Sequence, residues 1–318
     1  MKLTKSVSVL VTAAAGVSML SPVAGDTVTL SVMTFNVFFL TEFVSNWGQR
    51  LRAQRIADSN FIKGHDILVV EECFDDAPCN ILRKGLMAEY PYQTPPVGAT
   101  SGGTMRWSST SGSTRFGING GVVIFSKWPI KEQHQFIFKN YCGMDGISNK
   151  GFAQVILDYK GTNLHIYGTH MQSDDIGCRR GQAAQQRARN LEFWRMYIDD
   201  TMVPADELIN LAGDFNIERN STEFNSFLTN FGVDQPVSYL GHPHTLDSVD
   251  NSIARAKKGP SEYLDYVLLD KKHRAGVKSL TQTVLREKTA DFQIRSETYN
   301  DYSDHYSVRA IIEVDLQK

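Results

Sequence analysis

The 318-residue sequence predicts an α/β protein in which two packed mixed β-sheets are flanked by helices. Three observations carry this prediction. Strand-like apolar runs alternate with helical patterns from end to end, with no linker long enough to divide the chain into domains. Several strands follow one another across short turns, unlike the regular winding of successive βαβ units. Odd polar residues fall at strand ends, where a layered α/β protein gathers its ligands.

At the amino end, Lys2 and Lys5 precede the apolar stretch VSVLVTAAAGVSML, and SPVAG follows with small residues. This is the basic, apolar and cleavable order of a secretory signal. The apolar run is shorter than the roughly 20 residues that a membrane-spanning helix needs. Residues 1–25 are therefore expected to be a signal peptide cut near Ala24 or Gly25, leaving 26–318 as a single secreted domain.

TVTLSVMTFNVF alternates with period two and predicts the first strand. GQRLRAQRIADSNFIK predicts a helix with Leu51, Ile56 and Phe61 at helical spacing. DILVVEE reads as a short buried strand, NILRKGLMAEY as a helix, and residues 101–121 as a Gly/Ser/Thr-rich loop carrying Trp107. GVVIFS, GFAQVILDY and NLHIYGTH predict strands joined by short turns. The amphipathic helix GQAAQQRARNLEFWRMYIDD leads to the strand ELINLAGDF, and EYLDYVLLD and YSVRAIIEV are the last strong strands. No internal repeat of fixed period is present.

A net charge of −2 with no long run of like charge is a poor match to a protein that lives on nucleic-acid phosphates. A bound divalent metal would add positive charge that this count does not see. Secretion permits disulfides, and four cysteines allow three connectivities. Cys73 and Cys79, six apart, suit a local loop, which leaves Cys142 with Cys178. Metal binding by these cysteines is the competing reading, but no CxxC pair is present.

Asn36 ends the first predicted strand, Glu71 and Glu72 the second, His170 another, and Asp214 and Asn216 the strand INLAGDFN. Asp265 interrupts YLDYV, and Asp304 and His305 precede the last strand. Each has a bland explanation as a turn residue, an N-cap, or a hydrogen-bonded core group. Together they are harder to excuse, because a buried carboxylate is costly unless it is paired or metal-bound. Carboxylate and amide oxygens are hard ligands that favour magnesium, calcium or manganese. Two histidines are then free for proton transfer and charge stabilisation. Metal, water, base and orienting acid together describe phosphate-ester hydrolysis. A serine hydrolase would need an exposed nucleophile, and no GxSxG elbow is present.

The ordered set FNVFF, EECFD, NGGVVIFSKWPI, GISNKGF, GTHMQSDD, AGDFNI, EYLDY and NDYSDHY resembles the secreted bacterial-type neutral sphingomyelinases. These belong to the DNase I-like endonuclease/exonuclease/phosphatase superfamily. The resemblance covers roughly residues 28 to 314. Its metal and histidine motifs are shared across the superfamily, whereas SNKGF, SKWPI and YNDYSDHY are more particular to the sphingomyelinase branch. It implies a DNase I-like four-layered sandwich and a metal-dependent, phospholipase C-type cleavage of sphingomyelin to ceramide and phosphocholine. The cofactor it implies is Mg2+, with Mn2+ or Co2+ able to substitute.

Matched position by position, Glu72 is the implied main metal ligand, helped by Asn36, and Glu71 is support. His305 is the implied base, Asp265 its orienting acid, and Asp304 a neighbour of the metal. Asp214 and Asn216 would position water and phosphate, His170 would stabilise transition-state charge and help the leaving alkoxide, and Lys150 would meet the substrate phosphate. The implied partner is sphingomyelin in membranes or lipoproteins, met by a monomer through peripheral contact. A secreted nuclease on the same scaffold is the alternative, which the low basicity disfavours. A non-catalytic toxin or binding protein is a third reading, against which the complete polar set argues.

Two departures from the family stand out. Its acidic pair before the central GG, part of an edge metal site, is replaced by Ile118 and Asn119, so a second metal there is not expected. Its membrane-inserting hairpin is replaced by REKTADFQIRSETYNDYSDH, where Phe292, Ile294 and Trp107 are the candidates for a weaker interfacial contact.

Overall fold

The structure, a computed structural model, describes residues 27–99, 106–114 and 117–315. The expected signal peptide lies outside the described residues. Two seven-stranded mixed sheets form the centre. The first runs Ser238–Gly241, Val277–Leu285, Ser307–Asp315, Thr27–Asn36, Ile67–Glu71, Val123–Ser126 and Tyr92–Gln93. The second runs Val233–Asp234, Asp265–Asp270, Leu208–Asp214, Thr162–His170, Gly151–Tyr159, Ile130–Ile137 and Ser109–Ser111.

Period-two alternation sorts each strand between two environments. Leu30 and Val32 face the core between the sheets with Ile166, Ala212, Val267 and Ile312. Met33 and Phe35 point the other way, against Ala53, Ile56 and Leu82 of the helices Gln49–Asp58 and Asp76–Gly85. Across the second sheet, Trp194 of the helix Gln182–Asp200 and Phe224 of the helix Thr222–Phe227 pack on Tyr167, Leu211 and Tyr266. Helix, sheet, sheet and helix are thus the four layers expected, and both disulfides pair as expected, Cys73 with Cys79 and Cys142 with Cys178.

Three local readings are corrected. The helix read as NILRKGLMAEY begins earlier, at Asp76, because Asp75 accepts the Ala77 N–H as its N-cap. In Gln49–Asp58 the inner face is mixed: Gln49 and Arg52 are buried beside Ala53, Ile56 and Ala57, while Leu51 is 44% exposed. Burial is tolerable there because the Arg52 guanidinium donates to the carbonyls of Trp47, Val37, Phe38 and Tyr302.

Third, the hairpin Lys288–Ile294 and Glu297–Asp301 turns its aromatic residue inward. Phe292 is 5% exposed, packed with Phe38, Ile253 and Tyr299, with Ile294 partly buried against the same cluster. Trp107 lies partly buried against the core between the sheets. Phe292 and Trp107 therefore serve local packing, where apolar neighbours on the protein already remove them from water.

Candidate active site

Sheet register brings the polar strand ends to one edge. Asn36 pairs with Glu71 across parallel strands of the first sheet, and His170 pairs with Asp214 across parallel strands of the second. Asp265 opens the antiparallel neighbour and stands opposite Asp214. The Asp301–Ser307 segment reaches the same place, where the Ser303 hydroxyl donates to the Asn36 carbonyl at 2.6 Å.

Turns just beyond the strands aim the side chains. Phe38, Glu72 and Asn216 all adopt the left-handed region, with φ of 52°, 58° and 52°. Such backbone is sparsely populated by non-glycine residues and clusters at functional sites. The turn at Glu72 is held by Gly121, where a Cβ would stand 2.9 Å from the Glu72 Cα and φ is +77°. The Asn216 turn is closed by its N–H donating to Asp214 Oδ1 at 2.9 Å, while its side-chain amide donates to the Met171 carbonyl at 3.1 Å.

One half of the site is an imidazole held by acids. His305 Nδ1–H donates to Asp265 Oδ2 at 2.8 Å, leaving Nε2 4.0 Å from Asp214 Oδ2. Burial opposes charge on His305, but the Asp265, Asp304 and Asp214 carboxylates override it and raise its pKa to about 10. Burial, reinforced by Asp265, pushes Asp214 up to about 7. Glu71 is fully buried, held by the Thr34 hydroxyl, and burial raises it well above the usual carboxylate range. This matches a supporting role.

The other half is built on a lysine. Lys150, which the resemblance assigns to the substrate phosphate, is 6% exposed. Its ammonium pairs with Asp145 at 2.8 Å and donates to His170 Nε2 and the Met171 carbonyl, each at 3.1 Å. Burial, with the nearby Lys150, His305 and Lys257 charges, drives His170 well below its ordinary range. His170 is therefore neutral and the cation beside it is Lys150.

Between the halves lies the candidate metal position. Asn36 Nδ2 bridges Glu72 Oε1 at 3.1 Å and Asp214 Oδ2 at 3.0 Å, and its Oδ1 accepts the Phe38 N–H. Among the described residues, Glu72 Oε2 is buried without a hydrogen-bond partner, as is Asp265 Oδ1. A buried carboxylate oxygen with no donor is what a hard cation would satisfy. Asp214, Asp265 and His305 also offer mutually close ligand atoms, but His305 Nδ1 already serves Asp265, so the oxygen donors around Glu72 fit magnesium better. At the edge, Asn119 donates its amide to the Phe74 carbonyl at 3.1 Å.

Residues 33–305 match the family model described as Endonuclease/Exonuclease/phosphatase family. The chain belongs to that family. Within the family it is 37% identical over 299 residues to a sphingomyelinase C of Bacillus cereus, covering 89% of each chain. It is 40% identical to the crystal structure of sphingomyelinase C from Streptomyces griseocarneus, with a TM-score of 0.84 over 90% of this chain and 99% of that one. A mutant beta toxin from Staphylococcus aureus with bound magnesium ions is 38% identical with a TM-score of 0.84, over 89% and 99% of the two chains. The sequence therefore belongs to the sphingomyelinase branch of the endonuclease/exonuclease/phosphatase family.

Sequence reasoning brought together Asn36, Glu72, Lys150, His170, Asp214, Asn216, Asp265, Asp304 and His305, all of which stand around this mouth. It missed Lys257, whose ammonium bonds Asp304 Oδ2, and Asn251, whose amide donates to the Ser303 carbonyl. NSIARAKKG resembles a solvated basic helix end, and nothing local signals its target.

Proposed function

We propose that this protein is a secreted, magnesium-dependent phosphodiesterase that hydrolyses sphingomyelin to ceramide and phosphocholine. The observation that carries the reading is the buried His305–Asp265 pair sharing one mouth with Glu72, whose Oε2 has no hydrogen-bond partner among the described residues. The family membership supplies the substrate class.

Asp265 holds His305 Nδ1–H, so a neutral His305 offers the Nε2 lone pair to a water proton. Glu72 would hold the magnesium ion, with Asn36 keeping Glu72 in place and its own Oδ1 retaining a second lone pair. When bound there, magnesium would supply Lewis-acid stabilisation of the phosphate charge and would offset the negative charge of the acid cluster. Burial and the Asp265, Asp304 and Asp214 carboxylates together set His305 at about 10, which makes its Nε2 a strong proton acceptor once deprotonated. Water adds to phosphorus as its proton passes to His305, the phosphorus–oxygen bond to the ceramide oxygen breaks, and that oxygen takes a proton from solvent to leave as the alcohol.

Lys150 and neutral His170 are assigned to the charge that develops on the phosphate and leaving oxygen. Asp214 and Asn216 are assigned to positioning the water and phosphate, and Asp304 to the surroundings of the metal. The signal-like leader and the two disulfides support secretion. No helix among the described residues is long and apolar enough to cross a membrane. The protein is proposed to act as a monomer through peripheral contact with sphingomyelin in membranes or lipoproteins.

The test is hydrolysis by purified protein, with and without magnesium, of sphingomyelin, phosphatidylcholine, a soluble phosphodiester and DNA in parallel. Magnesium-dependent release of phosphocholine from sphingomyelin is expected. Cleavage of DNA with no attack on choline lipid would overturn the proposal. Glu72→Gln should move the magnesium titration to higher concentration, and an unchanged titration would remove Glu72 from the metal.

A further inference from the structure

Lys257 is absent from every role assigned above, yet its ammonium enters the mouth. Its side chain is 38% exposed, while Nζ bonds Oδ2 of Asp304, itself only 1% exposed. The same Nζ lies 4.2 Å from the centroid of the Phe38 ring, a cation–π distance. Phe38 is one step from the metal position, because its N–H holds Asn36 Oδ1 and the Asn36 amide donates to Glu72 Oε1. The Lys257 and Asp304 charges both bear on Glu72.

This placement is built into the local fold. The helix Ser252–Lys257 starts at Asn251, whose Oδ1 accepts the N–H groups of Ile253 and Ala254. The Asn251 amide donates to the Ser303 carbonyl at 2.8 Å, and the Ser252 N–H and hydroxyl both donate to Asp301 Oδ2. The helix is therefore fastened to the segment that carries Asp304 and His305. Ile253 adds apolar contact in the Phe38, Phe292 and Tyr299 cluster. Lys258 then leaves the helix in the left-handed region, with φ 59°. A lysine reaching only for solvent would need none of this anchoring.

We propose that Lys257 is a built-in competitor of the divalent cation, a positioning residue that holds Asp304 and sets how tightly the Glu72 mouth takes magnesium. The inference rests on the magnesium reading of that mouth. A fixed positive charge beside the acids neutralises them when no metal is bound, and repels a second cation that approaches the same carboxylates. The exchange is electrostatic and breaks no covalent bond.

Magnesium binding to the intact protein, measured by calorimetry, tests this directly. Lys257→Gln should bind magnesium about tenfold tighter or more, since it removes a like charge at close range. Lys257→Arg, which keeps the charge, should stay near wild type. Removing Lys257 alone leaves the buried Asp304 charge uncompensated and endangers folding. The comparison is therefore repeated with Asp304→Asn alone and with Asp304→Asn combined with Lys257→Gln, where tighter binding by the double variant is again expected. Equal or weaker binding on losing Lys257 in these pairs, with wild type binding normally, overturns the role of Lys257 alone. Failure of wild type and every variant to bind magnesium overturns the magnesium reading of the site, and this inference with it.

Discussion

Two histidines of this site are almost equally buried, yet one is cationic and the other neutral. His305 faces Asp265, Asp304 and Asp214, and its pKa rises to about 10. His170 faces the Lys150 ammonium at 3.1 Å, and its pKa falls well below the ordinary 6.5. Burial disfavours the charged ring in both, so the sign of the nearest fixed charge decides between them. Residue type and burial thus say little about the role of a histidine. Its neighbours divide the mouth into a proton-accepting side and a cationic side.

The comparison can be broken at four points. The largest effect belongs to His305→Ala, which should lower kcat by roughly 10²–10⁴-fold while leaving the melting transition nearly intact. Activity close to wild type would take the base away from His305. Asp265→Asn should cost about 10²-fold, by losing the acceptor that fixes the Nδ1–H tautomer. The ascending limb of its pH–rate profile, set by deprotonation of the His305 base, should also move to lower pH, and an unmoved profile would make Asp265 merely structural.

Lys150→Met should lower kcat/KM by about tenfold, the weight of one charged contact to phosphate. It should also bring the His170 titration back towards 6.5, readable by NMR of the imidazole protons. An unshifted His170 would mean that burial alone keeps it neutral.

The smallest effect is on stability. In metal-free protein the folded pKa of His305 lies above its ordinary 6.5, so its contribution is full below 6.5 and lost as pH rises through about 10. Asp214, raised from 3.8 to about 7, likewise loses its contribution as pH rises through that lower window. Thermal melting of metal-free wild type should therefore fall on going from pH 5 to pH 10. In His305→Gln the part of that fall above neutrality should vanish, and a fall that persists there would place the sensitive group elsewhere.

Most of the site was readable because its members interrupt apolar strands. An Asp, Asn or His at the end of a buried run is anomalous by itself, as Asp214, Asn36 and His170 illustrate. Residues supplied by irregular segments carried no such mark. Lys257 sits in a basic helix end that looks solvated, and Arg52 in a helix whose apparent apolar face included the exposed Leu51. Both reach targets distant in sequence, Asp304 for one and the carbonyls of Val37 and Tyr302 for the other. Phe292 misled for the same reason, since an aromatic residue amid charges gives no indication of which way its hairpin folds.

By itself the sequence determined the layered α/β class and the inventory of groups for metal-assisted phosphoester chemistry, and it favoured the cysteine pairing that the fold adopts. These follow from periodicity, spacing and residue type, which are local properties. Only tertiary structure decided which histidine is cationic, that the aromatic residue of the 288–301 hairpin turns inward, and that Lys257 shares the mouth with Glu72. Those outcomes depend on charge and apolar surface brought together from distant segments, and Coulomb forces and burial act through space without regard to position in the chain.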